Sequence, residues 1–203
     1  MVYVKICGIT EEQDALACVA AGADAIGLNF FPGSPRCVSA EQAKRIVAPV
    51  AGKLHVVGVF VDASVEQVTQ LRAELGLDCV QFHGNEPPEV LEAFLPHAYR
   101  ALRVRDEGVL AEAARFGGDH VLLDAYVPGV LGGSGARFDW SIAAALALTR
   151  KVTLAGGLTP DNVREAVQAV RPYAVDVASG VESKPGRKDP ERVRLFVERA
   201  KQA

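Results

Sequence analysis

Eight short apolar runs, each followed by a segment that reads as helical, recur from one end of the chain to the other. This alternation constrains the fold more than any other feature. The runs are Val2–Cys7, Ala25–Phe30, Leu54–Phe60, Cys79–Phe82, Tyr99–Val104, His120–Asp124, Val152–Ala155 and Ala174–Val177. Most are dense in Val, Leu and Ile, with no strict apolar–polar alternation. Parallel strands covered on both faces read this way. Between the runs, Val163, Ala166, Val167 and Val170 share one helical face, and so do Val193, Phe196, Val197 and Ala200. Thr10 is followed three residues on by Gln13, Ser39 by Gln42 and Ser64 by Gln67. Each pair has the spacing of a capping box, in which hydroxyl and amide satisfy free N–H groups at a helix start. Pro160 and Pro190 follow Thr159 and Asp189, where the first helical position tolerates a missing N–H.

Eight strand–helix units in 203 residues predict an α/β fold, a compact (β/α)8 TIM barrel, with residues 1–203 forming a single catalytic domain. The competing architecture is an open doubly wound sheet. The barrel is preferred because no glycine-rich fingerprint follows the first strand. The glycines follow the seventh and eighth strands.

Composition removes several function classes. Net charge is −3, with acids and bases interspersed and no basic stripe, which argues against a nucleic-acid partner. No apolar run approaches the roughly 18 residues needed to span a bilayer, so no membrane partner is expected. The opening residues lack the pattern of a signal peptide, and the expected compartment is the cytoplasm. The four cysteines, at 7, 18, 37 and 79, show no CxxC spacing and no histidine pairing. Neither a metal site nor disulfides are expected.

In a (β/α)8 barrel the active site forms at the C-terminal ends of the strands. Those positions hold Cys7, Arg36 in the second loop, Gln81 and His83, Arg103, Asp124, Gly156-Gly157 and Ser179-Gly180. Polar residues ending apolar strands are the main functional signal. A phosphate needs converging N–H donors with no Cβ in the way, and two glycine turns on adjacent strands supply them. Gly156, Gly157, Ser179 and Gly180 are therefore read as a phosphate seat, the alternative being ordinary tight turns. Cys7 is either a base or nucleophile, or a small buried apolar residue. Lys5, two residues earlier, points to the same side of its strand and should favour the thiolate. A carboxylate ending the run Val121-Leu122-Leu123 is costly unless paired or functional, which singles out Asp124. Arg36, stiffened by Pro32 and Pro35, suits bidentate recognition of a carboxylate or is a solvated surface arginine. His83 lines the site or is structural. The stretch from Ala125 to Arg137, with Gly129, Gly132, Gly133 and Gly135, is long enough for a lid.

Taken in order, several segments resemble the phosphoribosylanthranilate isomerase family. They are Lys5-Ile6-Cys7-Gly8-Ile9-Thr10, Ser34-Pro35-Arg36, Gln81-Phe82-His83-Gly84-Asn85-Glu86 and Leu123-Asp124. Gly132-Gly133-Ser134-Gly135 with Phe138-Asp139-Trp140 and Ala155-Gly156-Gly157-Leu158-Thr159-Pro160-Asp161-Asn162-Val163 follow. Asp176-Val177-Ala178-Ser179-Gly180-Val181-Glu182, running on to Pro185-Gly186 and Lys188-Asp189, completes the set. Ala178 stands where the family often has Ser, and Asn29 in a usually more apolar stretch. The resemblance implies an Amadori rearrangement of N-(5-phosphoribosyl)anthranilate to 1-(2-carboxyphenylamino)-1-deoxyribulose 5-phosphate. It implies Cys7 as general base, Asp124 as general acid and Arg36 at the anthranilate end, with Gln81 and His83 contacting the substrate. Asp124 then needs a raised pKa, Cys7 a lowered one, and no cofactor takes part.

The partner expected is a small phosphorylated substrate, and the chain is expected to be a monomer or a homodimer. An indole-glycerol-phosphate synthase would call for a lysine acid and a longer N-terminus, and a ribulose-phosphate epimerase for paired His and Asp metal ligands. A non-catalytic phosphate-binding barrel would keep the glycine turns and have no use for Cys7 and Asp124.

Overall fold

A computed structural model describes residues 1–125 and 139–203. The stretch read as a lid lies outside the described residues from position 126 onward. Eight parallel strands close into a barrel in sequence order: β1 (Tyr3–Cys7), β2 (Ala25–Asn29), β3 (His55–Phe60), β4 (Cys79–Phe82), β5 (Ala98–Val104), β6 (His120–Ala125), β7 (Lys151–Leu154) and β8 (Ala174–Val177). The ring closes where β8 pairs with β1, with Lys5 opposite Asp176. The strand bounds differ from the apolar runs by no more than one residue at either end.

The helices are α1 (Glu12–Ala21), α2 (Ala40–Val47), α3 (Val65–Leu75), α4 (Pro88–Glu92), α5 (Gly108–Ala114), α6 (Trp140–Ala147), α7 (Val163–Val170) and α8 (Pro190–Lys201). Ser39 and Ser64 form the capping boxes expected of them. Asp189 caps α8 with Pro190 at its first position. Thr10 behaves differently: α1 begins at Glu12 without a side-chain cap, and the Thr10 hydroxyl donates to the carbonyl of Gly186. Pro160 also lies ahead of its helix, which starts at Val163. Asn162 intervenes, accepting from the Thr159 N–H and donating to the Gly157 carbonyl. That side chain completes a turn the main chain would otherwise have continued as helix. A short hairpin, β9 (Glu182–Lys184) with β10 (Arg187–Lys188), follows β8 and carries no periodic signal in the sequence.

Strand periodicity divides the interior in two. Outward side chains such as Val4, Ile6, Ile26, Leu28, Phe82, Leu123 and Val175 pack against helix residues including Ile46, Val68, Leu91, Val163 and Phe196. Fully burying a side chain of this kind contributes roughly 1.5–3 kcal/mol, so this shell supplies most of the driving force. Inward side chains form a second, smaller core of Ala25, Val57, Tyr99, Ala101, Leu122 and Ala155. Lys5, Gln81, Asp124 and Asp176 are also buried. Each stands two residues, or a multiple of two, from an inward position or opposite one across the register, so all four face the barrel interior.

Candidate active site

A cavity of about 300 Å³ opens at the C-terminal ends of the strands. Cys7, Arg36, Gln81, His83, Asp124, Gly156, Gly157, Ser179 and Gly180 all line it. Arg103 does not. It stands beside Asp124 in the β5–β6 register and donates from Nη2 to the main-chain carbonyl of His83 at 3.0 Å.

The β1 side of the cavity is built around a buried ion pair. Lys5 Nζ donates to Asp176 Oδ2 at 2.9 Å and to Gln81 Oε1 at 3.1 Å. Burial opposes the charge on Lys5, yet the carboxylate of Asp176 holds the ammonium well above its ordinary range. Gly27 faces Cys7 across the β1–β2 register. A Cβ there would lie 2.8 Å from Cys7 Sγ and 3.1 Å from Lys5 Nζ, so the missing side chain lets thiol and ammonium occupy one space. The pKa of Cys7 runs against expectation. Burial pushes the thiol up; Lys5 pulls it down, and Asp176 adds to the upward push. The lysine does not bring the thiol below its ordinary value, because burial outweighs it and Asp176 opposes it.

Burial acts on Asp124 in the same direction and raises it to about 6. The charge of Asp176 adds to the effect, and the Ala125 N–H, Arg103 and Lys5 oppose it. Asp124 Oδ1 accepts from that N–H at 2.9 Å. Its Oδ2 lies 3.6 Å from His83 Nε2, just beyond hydrogen-bond distance. Gln81 is the hub between the two sides. Its oxygen accepts from Lys5 and from the Tyr99 hydroxyl at 3.0 Å, and its nitrogen meets His83 Nδ1 at 3.2 Å. One N–H of that amide is left for a ligand.

At the rim, Arg36 is held in a fork by Glu182, from Nε to Oε1 at 2.8 Å and from Nη2 to Oε2 at 2.7 Å. Glu182 also accepts from the buried Lys188 at 2.8 Å. Burial alone would raise the Glu182 carboxyl, but Arg36 and Lys188 hold it below the usual range. The Arg36 guanidinium is thus aimed by a carboxylate 146 residues away, with Nη1 outside the fork. Opposite, Gly156 has φ +82, and a Cβ there would lie 2.5 Å from the Ala125 nitrogen. At Gly180 a Cβ would run into the carbonyl of Leu158. Ser179 and Gly180 open a 3-10 turn (Ser179–Val181), so their N–H groups precede its first internal bond. A main chain brought this close to a cavity wall can present N–H groups to an anion.

Asp176, Glu182 and Lys188 appear in the sequence only as parts of the matching segments, with no role assigned to them. Period two along Ala174-Val175-Asp176-Val177 turns Asp176 inward, and that signal was available. Nothing comparable marks Glu182 or Lys188, whose partners depend on the hairpin.

Fold and cavity together place the chain among the (β/α)8-barrel enzymes with a site at the strand ends. Within that class one family matches: the model of N-(5'phosphoribosyl)anthranilate (PRA) isomerase covers residues 4–199. The chain belongs to that family. The N-(5'-phosphoribosyl)anthranilate isomerase of Geobacter metallireducens is 51% identical over 201 residues, covering 99% of this chain and 100% of the relative. The crystal structure of phosphoribosyl anthranilate isomerase from Thermotoga maritima superposes with a TM-score of 0.92 at 41% identity, with both chains fully covered. A solved complex of such an enzyme with reduced 1-(o-carboxyphenylamino)-1-deoxyribulose 5-phosphate gives 0.88 at 39% identity, again with both chains fully covered. Among the described residues no helix is long and apolar enough to cross a membrane.

Proposed function

We propose that the chain, acting as one catalytic domain over residues 1–203, isomerises N-(5-phosphoribosyl)anthranilate to 1-(2-carboxyphenylamino)-1-deoxyribulose 5-phosphate, the Amadori step of tryptophan biosynthesis. Asp124 is the general acid and Cys7 the general base. The Asp124 proton passes to the furanose ring oxygen, the C1–O bond breaks and a Schiff base forms with the anthranilate nitrogen. The Cys7 thiolate then takes the proton from C2. Its bonding electrons move toward the imine, and the resulting enolamine tautomerises to the C2 ketone. Each step moves a proton between a side chain and the substrate, so no cofactor takes part.

One observation carries the reading: Asp124, its carboxyl raised by burial, lines a single cavity with the Cys7 thiol. Gly156, Gly157, Ser179 and Gly180 receive the phosphate through main-chain N–H groups. Arg36 presents Nη1 to the anthranilate carboxylate, while Gln81 and His83 line the sugar. All these cavity residues belong to one chain, so the reaction suits a monomer or a homodimer equally. A catalytic thiol must stay reduced, which fits the cytoplasm. Mixing the protein with substrate should extinguish the anthranilate fluorescence with saturable kinetics. Persistent fluorescence at micromolar protein would leave a binding barrel with no isomerase activity.

A further inference from the structure

His83 stands where one hydrogen-bond chain ends and the acid begins. Lys5 has only donors, so Gln81 must turn its oxygen toward Lys5 Nζ, 3.1 Å away. The Tyr99 hydroxyl, 3.0 Å from the same oxygen, agrees with that orientation. The Gln81 nitrogen therefore faces His83 Nδ1 at 3.2 Å and donates to it. A neutral imidazole that accepts at Nδ1 carries its proton at Nε2. Burial, with Arg103, Lys5 and Arg100 nearby, keeps the ring neutral down to about pH 3. The Nε2 atom is buried and has no hydrogen-bond partner among the described residues. A buried orphan donor is costly enough to call for an explanation. Asp124 Oδ2 lies 3.6 Å from it.

We propose that His83 is a positioning residue for the acid, its Nε2–H fixed by the Lys5–Gln81 chain and directed at Asp124 Oδ2. The backbone N–H of Ala125 already occupies Oδ1, so the transferable proton resides on Oδ2. As that proton leaves for the ring oxygen, the new carboxylate draws the His83 N–H into a charge-assisted bond. Hydrogen bonds of this kind are often long in empty sites and tighten when the reaction complex forms. The charged groups facing Asp124 are Asp176 from β8, Lys5 from β1 and Arg103 from β5. His83 adds a neutral side-chain donor beside them.

The inference rests on Asp124 being the acid, and two substitutions separate it from that reading. His83→Gln keeps an N–H donor at about the position of Nε2. His83→Asn reaches only as far as Nδ1. The Asn variant should lose about 10-fold or more in kcat with KM within about 3-fold, and the Gln variant should recover most of it. Titration of Asp124 by carbon NMR should show its midpoint above the unmodified value in the Asn variant and near it in the Gln variant. Combined with Asp124→Asn, His83→Asn should cost less than about 2-fold further, because a residue acting through the acid has nothing left to act on. Losses that multiply, or a Gln variant no better than Asn, overturn the inference. Near-normal kcat in Asp124→Asn alone would overturn the acid assignment, and the inference with it.

Discussion

Cys7 and Asp124 sit on opposite sides of one barrel mouth, and burial raises both. The consequences differ. On the β6 side the shift helps, because an acid must hold its proton near neutrality. On the β1 side it works against the role, since the thiol must give its proton up. The β1 side also carries charges in compensated sets: Lys5 with Asp176, and Arg36 and Lys188 with Glu182. Asp124 has no direct cationic partner within the described residues. Low dielectric surroundings thus perturb an acid and a base in one direction, and only the arrangement of neighbours can treat them differently. In the resting pair the proton favours the thiol, and the reactive arrangement, thiolate with carboxylic acid, holds the same proton on the other group.

The largest effects should come from removing either partner. Asp124→Asn and Cys7→Ala should each lower kcat by about 10²–10⁴-fold, and a near-normal kcat in either would reject its role. The acid side can be probed further through stability. Burial raises its carboxyl from the ordinary 3.8 to about 6, so above pH 6 the fold keeps an ion it disfavours. That destabilises the protein by roughly 3 kcal/mol above pH 6, a penalty that fades as pH falls from about 6 to about 4. Asp124→Asn should therefore raise the unfolding free energy at pH 8 and leave it nearly unchanged at pH 4. Equal shifts at both would mean the carboxyl is not raised.

The base side should respond in the opposite sense. Asp176→Asn leaves Lys5 as an uncompensated buried charge, which should cost roughly 3–5 kcal/mol in denaturant unfolding. The same change should speed Cys7 alkylation at pH 7, since the lysine charge is no longer shared; unchanged alkylation would show that Asp176 does not restrain the thiol. For kcat/KM, forms with both groups protonated accumulate below about pH 6 and are inactive, so activity should fall about tenfold per unit there. A limb that stays in place in Asp176→Asn would separate Asp124 from Asp176. The smallest effect should follow Gly27→Ala, whose added methyl must displace Cys7 Sγ or Lys5. A loss of roughly 1–3 kcal/mol is expected, with the phosphate side untouched, so that inorganic phosphate binds as before.

Much of this was legible in the chain. The eight strands follow from runs of β-branched and aliphatic residues, and strand ends in a closed parallel barrel must share one mouth. Nine of the ten residues read at the strand ends therefore converge on one cavity; Arg103 turns instead to the His83 carbonyl. Ser39 and Ser64 cap as their local spacing dictates. Thr10 and Pro160 do not, because a partner distant along the chain, Gly186, takes the Thr10 hydroxyl, and Asn162 takes the Thr159 N–H within the turn. Arg36 was read as stiffened by neighbouring prolines, yet its direction is set mainly by Glu182.

Sequence by itself determined the architecture, the end of the barrel that carries chemistry and the residue types gathered there. Those depend on patterns of period two and 3.6 that repeat locally. Tertiary structure decided the protonation of the site. Lys5 meets Asp176 from 171 positions away, Gln81 turns to face it, and burial outweighs the lysine so that the Cys7 thiol moves up rather than down. Such outcomes depend on distances between charges and on the water excluded around them, and neither quantity is written in the order of residues along the chain.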